Sequence, residues 1–555
     1  MSFFVRNAER LPAMMAPGLF AGLLAALGIV ASAHAQATFS NAVTLGTVHI
    51  NGLDETSGIA ASRQNEGVLW THNDSGDMAR VFALDTQGRL LGIYKLPGAI
   101  NFDYEDIAIG PGPVTNVHYV FVGDIGDNFI ERSSVTIYQF PEPAVYLRQV
   151  SSPVNTSVKG LRTIALTYPD GARNAEALLV DPWSGDAFIA SKETNLCRIY
   201  MASKAQLDAG GPITLSFVRE LAFDQASAGD ISPTGREIVL RQENFARLWT
   251  RAPGQSIGDA LGQPAISIPV VGQPTEDNGE AIGFDSNGSG YFTLSDGFST
   301  QPLYYFGRSS SFAKPPRVLV GAGGTWRYLD TGTNLGTAWR AGGYNDTAWR
   351  TGDGQFGYGD GAERTTVSFG SKNNAKFITT YFRKSFVVTN TASLGRLDLK
   401  LVFDDGAAVY LNGALVALAN LSSNATATTL ASATQEDLED AWFTFAVNPA
   451  LLVAGTNTLA VEVHQAAVNS PDLSFDAQLI AFEAVPPPRI LSATGLANGS
   501  FLLTFTSSTD TVSVEASTNF NTWSALGPAP VTNGSGAFLD TPTVTIPWRF
   551  YRLRQ

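Results

Sequence analysis

The chain of 555 residues is longer than one hydrophobic core supports, so its length indicates about two to four domains. With 50 acidic against 36 basic residues it carries a net charge of -14, which argues against nucleic acid or an anionic membrane surface as its main partner. The single cysteine, Cys197, excludes an internal disulfide. No histidine cluster has zinc-ligand spacing and no G-x-S-x-G motif lies near a suitable histidine, which excludes zinc hydrolases and Ser-His-Asp hydrolases.

The first 35 residues have the features of a secretory signal. Two arginines precede an apolar run at residues 19–30, and a small-residue cleavage site follows at residues 33–35. No later stretch is long and apolar enough to span a bilayer. We therefore predict a signal peptide over residues 1–35 and an extracellular or periplasmic protein without a membrane span.

A repeat fills the first half of the chain. Each of its five units has three short runs rich in β-branched and aromatic residues, separated by Gly, Asp and Asn turns, and most have room for a fourth strand. Units of about fifty residues with four short strands are typical of propeller blades. We therefore predict an all-β chain with a five-bladed β-propeller over residues 36–315, and six blades are the alternative. The units open at residues 55–61, 105–109, 176–180, 230–233 and 280–284.

The fifth unit lacks a clear fourth strand. A β-rich segment at residues 43–50 lies ahead of the first unit and has no place in it. We predict that this segment supplies the missing strand and closes the ring. The other fourth strands are predicted at residues 90–96, 163–168, 214–222 and 266–271.

Acidic residues recur at two places in each unit. In an antiparallel meander, the start of the first strand and the end of the second strand lie at the same end of the sheet. We therefore predict that the acids form one rim of the propeller. At the first place stand Glu55, Glu105, Glu176, Asp230 and Glu280, and at the second stand Asp74, Asp124, Glu193, Glu243 and Asp296.

Two interpretations of this rim remain open. The carboxylates either cap backbone N–H groups in the turns or bind a cation, for which calcium is the best match because it prefers oxygen ligands. Lys192 and Arg241 precede second-place acids, so they either hold an anionic substrate or form internal ion pairs. The candidate calcium ligands are Glu55, Asp74, Glu105, Asp124, Glu176, Asp230 and Glu280.

The acidic-aliphatic openings at residues 104–108 and 174–177 resemble those of secreted phytase-like and related bacterial β-propellers. The resemblance covers about residues 40 to 310. It implies a calcium site on the propeller axis that neutralises phosphate and orients water, with Lys192 or Arg241 as a clamp. The implied activity is calcium-assisted hydrolysis of a phosphoester or a related polar substrate.

A second domain begins after the repeat, in a segment rich in Trp and Gly. Residues 322–484 are similar to the galactose-binding-like jelly roll that many glycoside hydrolases carry, with a hairpin at residues 410–413. Exposed aromatic side chains of such modules stack on sugar rings, whereas buried ones only fill the core. The candidates for carbohydrate binding are Trp339, Tyr344, Trp349 and Tyr358.

The last module follows a Pro-rich linker at residues 485–488. Alternating runs in residues 489–555 predict a small immunoglobulin or fibronectin-like sandwich that acts as a spacer. Two functions fit the whole sequence. One is a secreted, calcium-assisted hydrolase, and the other is a non-catalytic protein that recognises a glycan or another protein.

Overall fold

The computed structural model describes residues 3–6, 38–276, 278–297, 300–309, 316–361, 363–496, 498–509, 511–532, 534–542 and 548–554. The chain is all-β and forms two compact units. The larger unit combines residues 39–307 with residues 315–483, and the smaller contains the described parts of residues 1–38, 308–314 and 484–555. The predicted propeller and jelly roll both belong to the larger unit, so the domain boundaries stay predictions.

Five separate sheets fill residues 43–307, and each contains a four-stranded antiparallel meander. The strands of the first sheet are Thr56–Ala61, Val68–Asn73, Arg80–Asp85 and Leu90–Lys95, joined by Val154–Ser157, and those of the second are Tyr104–Pro111, His118–Asp124, Val135–Pro141 and Arg162–Thr167, joined by Ile213–Thr214. The third contains Ala175–Val180, Ala187–Ser191, Cys197–Ala202 and Ser216–Leu221, the fourth Ala228–Ile231, Glu237–Gln242, Phe245–Thr250 and Ile266–Ile268, and the fifth Ala281–Phe284, Gly290–Leu294, Gln301–Gly307 and Val43–Val48. Short α-helices lie at Lys204–Ala209 and Ile257–Leu261, and a 3-10 turn at Leu147–Ser151.

The strand positions that the repeat predicts are confirmed. Val43–Val48 pairs antiparallel with Gln301–Gly307, so the N-terminal segment completes the fifth sheet. The remaining fourth strands begin within two residues of their predicted positions. Sequence spacing located these strands because each run is apolar and each boundary carries Gly, Asp or Asn.

The first strands of the five sheets contact one another in a closed cycle. Each contacts the first strands of the two neighbouring sheets, and Ala281–Phe284 of the fifth sheet contacts Thr56–Ala61 of the first. These strands are almost entirely buried, because each lies between two neighbours. The cycle therefore has a crowded centre.

Asp106 places a carboxylate at this centre. Its carboxylate accepts hydrogen bonds from the backbone N–H groups of Ile107 at 2.8 Å, Leu178 at 2.9 Å and Gly229 at 3.3 Å, which belong to three successive sheets. The matching register position carries small residues in the other sheets, where Gly58, Ala177, Ala228 and Ala281 stand. A Cβ at Gly58 would approach Asp106 Oδ1 to 2.9 Å, so glycine is required there.

Residues 317–483 form two six-stranded sheets. One contains Thr365–Thr366, Phe356–Tyr358, Leu473–Glu483, Leu394–Phe403 and Phe443–Val447, with Arg317–Val320 beside Leu473–Glu483, and the other contains Arg350–Asp353, Thr325–Leu329, Thr379–Val388, Gly455–His464, Gly406–Leu411 and Ala414–Ala419. Short 3-10 turns occur at Ala338–Arg340 and Pro449–Leu451. Aromatic rings fill the core of this part, as where Phe382 stacks on Phe475 with ring centroids 4.0 Å apart.

Polar contacts join this part to the five sheets within the larger unit. The buried indole of Trp442 donates to Asn65 Oδ1 at 3.0 Å, and Lys400 Nζ donates to the carbonyl of Gln64 at 2.8 Å. Burial lowers the pKa of Lys400. These side chains pair with complementary groups because an unpaired polar group at a buried boundary is costly.

The smaller unit contains one seven-stranded sheet. Its strands are Phe3–Arg6, Trp548–Arg554, Thr511–Ser517, Ser524–Thr532, Ser535–Asp540, Phe501–Thr506 and Arg489–Gly495. Phe3–Arg6 pairs antiparallel with Trp548–Arg554 and belongs to the predicted signal peptide, whose residues 7–35 lie outside the described residues.

Candidate functional site

The strand register shows which residues of the five sheets are equivalent. The first strands of sheets one to three carry a β-bulge, which places Ser57, Glu105 and Glu176 between two paired residues. Ser227 and Glu280 immediately precede the paired residues of sheets four and five, so they occupy the same register. A bulge directs an extra side chain away from the ladder. We call these five residues the bulge positions.

A second set of equivalent residues lies two positions after the second-strand residue that pairs with the residue following the bulge position. Asp74, Lys192 and Asp296 belong to this set in sheets one, three and five. Their backbone N–H groups donate to the carbonyls of Glu55, Asn174 and Asn278, each two residues before a bulge position. This repeated bond holds the ends of the first and second strands together.

Six carboxylates come together at this end of the sheets. Ligand oxygens of Asp74, Asp103 and Glu105 lie within 4.8 Å of one another. Glu176, Glu280 and Asp296 interact electrostatically with members of this trio. We call the set of six the acidic cluster: Asp74, Asp103, Glu105, Glu176, Glu280 and Asp296.

Burial and mutual repulsion shift the pKa values of the acidic cluster upward. Burial, followed by the charges of Asp103, Glu176 and Asp296, raises the pKa of Asp74 to about 7. Burial and the charge of Glu176 raise the pKa of Glu280 to about 8. Burial, followed by the charge of Glu176, also raises the pKa of Glu105. The cluster therefore resists full ionisation at neutral pH unless a cation compensates it.

Lys192 places an ammonium group beside the acidic cluster. Its Nζ lies 2.5 Å from Glu176 Oε2. Burial alone lowers the pKa of Lys192, but the charges of Glu176, Glu280 and Glu105 outweigh it and raise the pKa. Lys192 thus forms an internal ion pair with Glu176, which is one of the two alternatives that the sequence leaves open. The pair places the ammonium beside the remaining carboxylates.

Gly126 leaves a space between two members of the cluster. A Cβ at this position would lie 2.2 Å from Glu105 Oε1 and 2.3 Å from Asp103 Oδ2. The absence of a side chain therefore allows both carboxylates to approach the backbone of the loop. Arg132 Nη1 donates to the carbonyl of Gly126 at 2.6 Å and fixes this loop from its other side.

Three predicted ligands lie in other environments. Asp124 Oδ1 pairs with Arg132 Nη2 at 2.7 Å, and its carboxylate accepts from the backbone N–H groups of Phe102 and Asp103. Asp230 is buried and accepts from the N–H groups of Ile231 and Phe284. Asp124 thus holds a loop, as the turn-capping interpretation expects. Asp230 instead bonds the backbone of two strands in neighbouring sheets.

Glu55 precedes its bulge position by two residues. Its backbone N–H donates to Asn73 Oδ1 at 3.2 Å, so the loop rather than the carboxylate is held by this contact. Asp103 is the structural equivalent of Glu55 in the second sheet, and the sequence analysis missed it. Glu55 precedes Ser57 by two residues, as Asp103 precedes Glu105. This equivalence is visible only after the bulges of the two strands are aligned.

Two further rim acids have separate partners. Glu193 pairs with Arg198 and accepts from Ser191 Oγ at 2.7 Å. Glu243 Oε2 accepts from Gln273 Nε2 at 3.4 Å. The position that the sequence analysis gave to Glu193 belongs to Lys192 in the observed register.

Arg241 is fully buried and does not belong to the acidic cluster. Its Nη2 lies 2.5 Å from Glu276 Oε2, and its Nη1 donates to the carbonyl of Ala281 at 2.8 Å. A side chain without solvent exposure is inaccessible to a substrate. Arg241 therefore connects the fourth sheet to the fifth through Ala281 and to the loop before it through Glu276.

The sandwich aromatics proposed for carbohydrate binding are mostly buried. Trp339 is fully buried and its ring makes an edge contact with Tyr381, while Trp349 and Tyr358 are 7% and 6% exposed. Tyr344 is half-buried against Trp349. These rings fill the core, which is the alternative that the sequence left open, and carbohydrate binding by these residues stays a prediction.

Exposed apolar side chains border the acidic cluster. Phe129 is 84% exposed and Ile130 is 59% exposed, in the loop that follows the second strand of the second sheet. Ile130 has φ of 55°, which is a strained conformation for a β-branched residue. Asp127 holds this tip by accepting from the N–H groups of Glu131 and Arg132. Strain kept in a well-held exposed loop is typical of a binding site.

Comparisons with known proteins identify no family for this chain. No protein-family model matches it, and no curated protein matches it. Among solved structures, a β-glucuronidase of Bacteroides uniformis is 14% identical with a TM-score of 0.22, over 43% of this chain and 30% of that one. A β-glucuronidase of Bifidobacterium dentium is 14% identical with a TM-score of 0.22, over 42% of each chain.

A chain of the nidogen/laminin complex is 10% identical with a TM-score of 0.25, over 44% of this chain and 73% of that one. The present chain spans about a third of the length of the Bacteroides uniformis β-glucuronidase. Likenesses of this extent assign no activity here, and they lend no support to the resemblance to phytase-like propellers. Within the described ranges, no helix is both long and apolar enough to cross a bilayer.

The raised pKa values predict that the cation-free protein is less stable in alkaline than in mildly acidic solution. Asp74 and Glu280 have folded pKa values of about 7 and about 8, above their ordinary values of 3.8 and 4.5. Their contribution to stability is present below the ordinary values and is lost as the pH rises through the folded ones. In chelator, the melting temperature should therefore fall between pH 5 and pH 8. The double variant Asp74→Asn/Glu280→Gln should show a flatter profile by calorimetry, and an equal slope in both proteins would contradict the assignment.

Because Arg241 is buried away from the acidic cluster, its substitution should lower the free energy of unfolding and leave cation affinity unchanged. Arg241→Met leaves the carboxylate of Glu276 buried and unpaired, which costs about 3–5 kcal/mol of unfolding free energy. Denaturant titration measures this loss. The double variant Arg241→Met/Glu276→Leu should recover most of it. If Arg241→Met changed cation affinity while leaving stability intact, the structural role would be refuted.

Proposed function

We propose that the five sheets of residues 43–307 are the blades of a five-bladed β-propeller whose acidic cluster binds a divalent cation, calcium by its donor chemistry. The blade arrangement is supported by the closed cycle of contacts among the first strands. The proposed cation site rests on one observation: oxygens of Asp74, Asp103 and Glu105 approach within 4.8 Å in a largely buried setting. Three carboxylates so placed repel one another unless a positive charge lies between them.

The donor set fits calcium better than a transition metal. Every member of the acidic cluster offers carboxylate oxygen, and calcium takes about six to eight oxygen ligands in flexible geometry. The space beside Gly126 brings Glu105 and Asp103 close to the backbone. Asp74, Asp103 and Glu105 would hold the ion, and the ion would supply charge neutralisation and a point of attachment for an anionic ligand.

The function that this site supports best is cation-dependent recognition of an anionic ligand at the rim. Lys192 lies beside Glu176 and would add a second positive contact. Phe129 and Ile130 are exposed on the same end of the sheets and would contact an apolar part of the ligand. Apolar side chains on a well-held loop contribute to binding because little conformational entropy is lost when they are covered. The predicted signal peptide supports an extracellular or periplasmic setting for this activity.

Hydrolysis of a polar ester is the second candidate. It is favoured by Glu280, which is not among the three proposed ion ligands and whose pKa burial and the charge of Glu176 raise to about 8. A carboxyl group with such a pKa exchanges protons near neutral pH and serves as a general acid or base. This activity would use the same cluster, so the two candidates differ only in whether a bound ester is cleaved.

Calcium titration by isothermal calorimetry tests the proposed site. The full chain should bind calcium and gain melting temperature, because a ligand that binds only the folded state stabilises it. Asp103→Asn/Glu105→Gln should lose binding at this site. Glu220→Gln is the matched control, since Glu220 is an exposed acid on the outer strand Ser216–Leu221. Equal calcium binding in all three proteins would overturn the proposal.

Phytate and a chromogenic phosphate ester then separate the two candidates. Release of phosphate that stops with chelator and in Asp103→Asn/Glu105→Gln would favour hydrolysis. Calcium-dependent retention of phytate without turnover would favour recognition. Turnover that continues in chelator would contradict a role for the cation in either candidate.

The strain at Ile130 predicts a stabilising substitution beside the site. Ile130→Gly relieves a left-handed conformation that costs about 1–2 kcal/mol for a side chain with a Cβ, and little burial is lost. The melting temperature should rise. Ile100→Gly is the matched control, since Ile100 is also exposed and is not among the residues with positive φ. There, glycine should lower stability through chain entropy. A fall in both variants would argue against strain at Ile130.

A further inference from the structure

A second group of carboxylates lies in the sandwich part of the larger unit. Oxygens of Asp360, Glu439 and Asp472 approach within 4.8 Å of one another. Asp360 follows the strand Phe356–Tyr358, and Asp472 immediately precedes the strand Leu473–Glu483 that pairs with it. The approach of Asp360 to Asp472 therefore follows from strand pairing, and Glu439 joins them from another segment.

Two buried polar groups beside this trio lack hydrogen-bond partners among the described residues. Asp404 is 2% exposed, and its Oδ2 receives no hydrogen bond. The hydroxyl of Tyr358 is also buried and unpartnered. Both interact electrostatically with Asp472, so they face the trio. An unpaired buried carboxylate costs free energy unless a cation or a donor satisfies it.

The nearby lysines compensate only one side of the group. Lys159 Nζ contacts Glu439 and lies 3.2 Å from Asp440 Oδ2 and 3.8 Å from Asp360 Oδ1. Lys376 Nζ donates to the carbonyls of Ser470 and Pro471. Lys376 interacts with Asp472 through its charge alone. Burial, followed by Asp405 and Asp472, raises the pKa of Asp404 to about 9, so the charged form of this carboxyl is disfavoured without a cation.

Asp405 has a separate role. Its Oδ2 accepts from the backbone N–H of Ala466 at 2.7 Å and from Ser470 Oγ at 3.2 Å. This carboxylate holds the loop that precedes Asp472. It adds negative charge next to Asp404 while its own oxygen is already used.

We propose that Asp360, Glu439 and Asp472, with Asp404 beside them, form a second divalent-cation site, with calcium as the ion. The ligands are all hard oxygens, which suits calcium, and the ion would satisfy Asp404 Oδ2 at the place where the protein supplies no donor. The phenol of Tyr358 would lie next to the ion. Asp360 also accepts from Ser474 Oγ at 2.9 Å, which orients its carboxylate.

The site lies beside a connection between the two parts of the larger unit. Lys159, which pairs with Glu439 and Asp360, belongs to the segment before the strand Arg162–Thr167 of the second sheet. The backbone N–H of Ala144 donates to the carbonyl of Asp440 at 2.6 Å. A cation here would therefore fix the loops that carry these contacts.

Calorimetry on the full-length double variant Asp103→Asn/Glu105→Gln isolates the second site. This protein should still bind one calcium ion, and adding Asp404→Asn should abolish that binding. Adding Asp437→Asn instead is the control, because Asp437 is an exposed carboxylate in the same segment as Glu439. Retention of the ion after Asp404→Asn, or no binding in the starting double variant, would overturn the second site.

Terbium luminescence provides a readout of position. Tb³⁺ replaces calcium at oxygen sites, and a nearby phenol sensitises its emission. In the same double variant, Tyr358→Phe should keep Tb³⁺ affinity and reduce the sensitised emission several-fold, whereas unchanged emission would contradict the placement beside Tyr358.

Two further measurements keep the outcomes separate. The melting temperature of Asp404→Asn in chelator should equal or exceed that of its parent, because the amide keeps the shape of a buried carboxyl whose charged form is disfavoured there. Lost binding is then not a loss of fold. Asp472→Asn should repeat the loss of the ion. If wild type and Asp103→Asn/Glu105→Gln bind the same number of ions and Asp404→Asn removes one, the proposed function fails and the second site stands. If Asp103→Asn/Glu105→Gln loses an ion and Asp404→Asn removes none, the second site fails and the proposed function stands.

Discussion

The carboxylate of Asp106 is the interaction on which the five-sheet part depends. It accepts backbone hydrogen bonds from strands of three sheets at the crowded centre. The equivalent positions of the other sheets carry glycine and alanine, which leave room for this side chain. A single buried acid, fully hydrogen-bonded, thereby fixes how closely the first strands approach. Burial raises its pKa, and the three N–H groups oppose that shift.

The acidic cluster follows from this packing. Once the first strands are held side by side, their starting residues have to meet at one end, and the bulges direct Glu105 and Glu176 toward the same region. The resulting repulsion is partly relieved by Lys192. The repulsion that remains supports the proposal that a cation and an anionic ligand bind here. The same logic applies in the sandwich, where strand pairing brings acids together and Lys159 relieves only part of the charge.

The exact members of the cluster were not accessible from a repeat alignment. Aligning the units on their first acid placed Glu55 and Asp230 with Glu105, yet the register places Ser57 and Ser227 there. An error of two or three residues in a unit leaves the strands recognisable but changes which side chain occupies the bulge. Asp103 was overlooked for the same reason. A bulge adds one residue to one strand, and sequence periodicity alone does not reveal it.

The sequence by itself determined the all-β character, the positions of the repeated strands and the pairing of residues 43–48 with the fifth sheet. These are consequences of local patterns, since apolar runs, turn residues and their spacing are properties of short segments. The tertiary structure alone decided that Arg241 is buried against Glu276 and that Trp339 belongs to the core. It also decided which carboxylates meet, because burial, ion pairing and proximity depend on residues far apart in the chain.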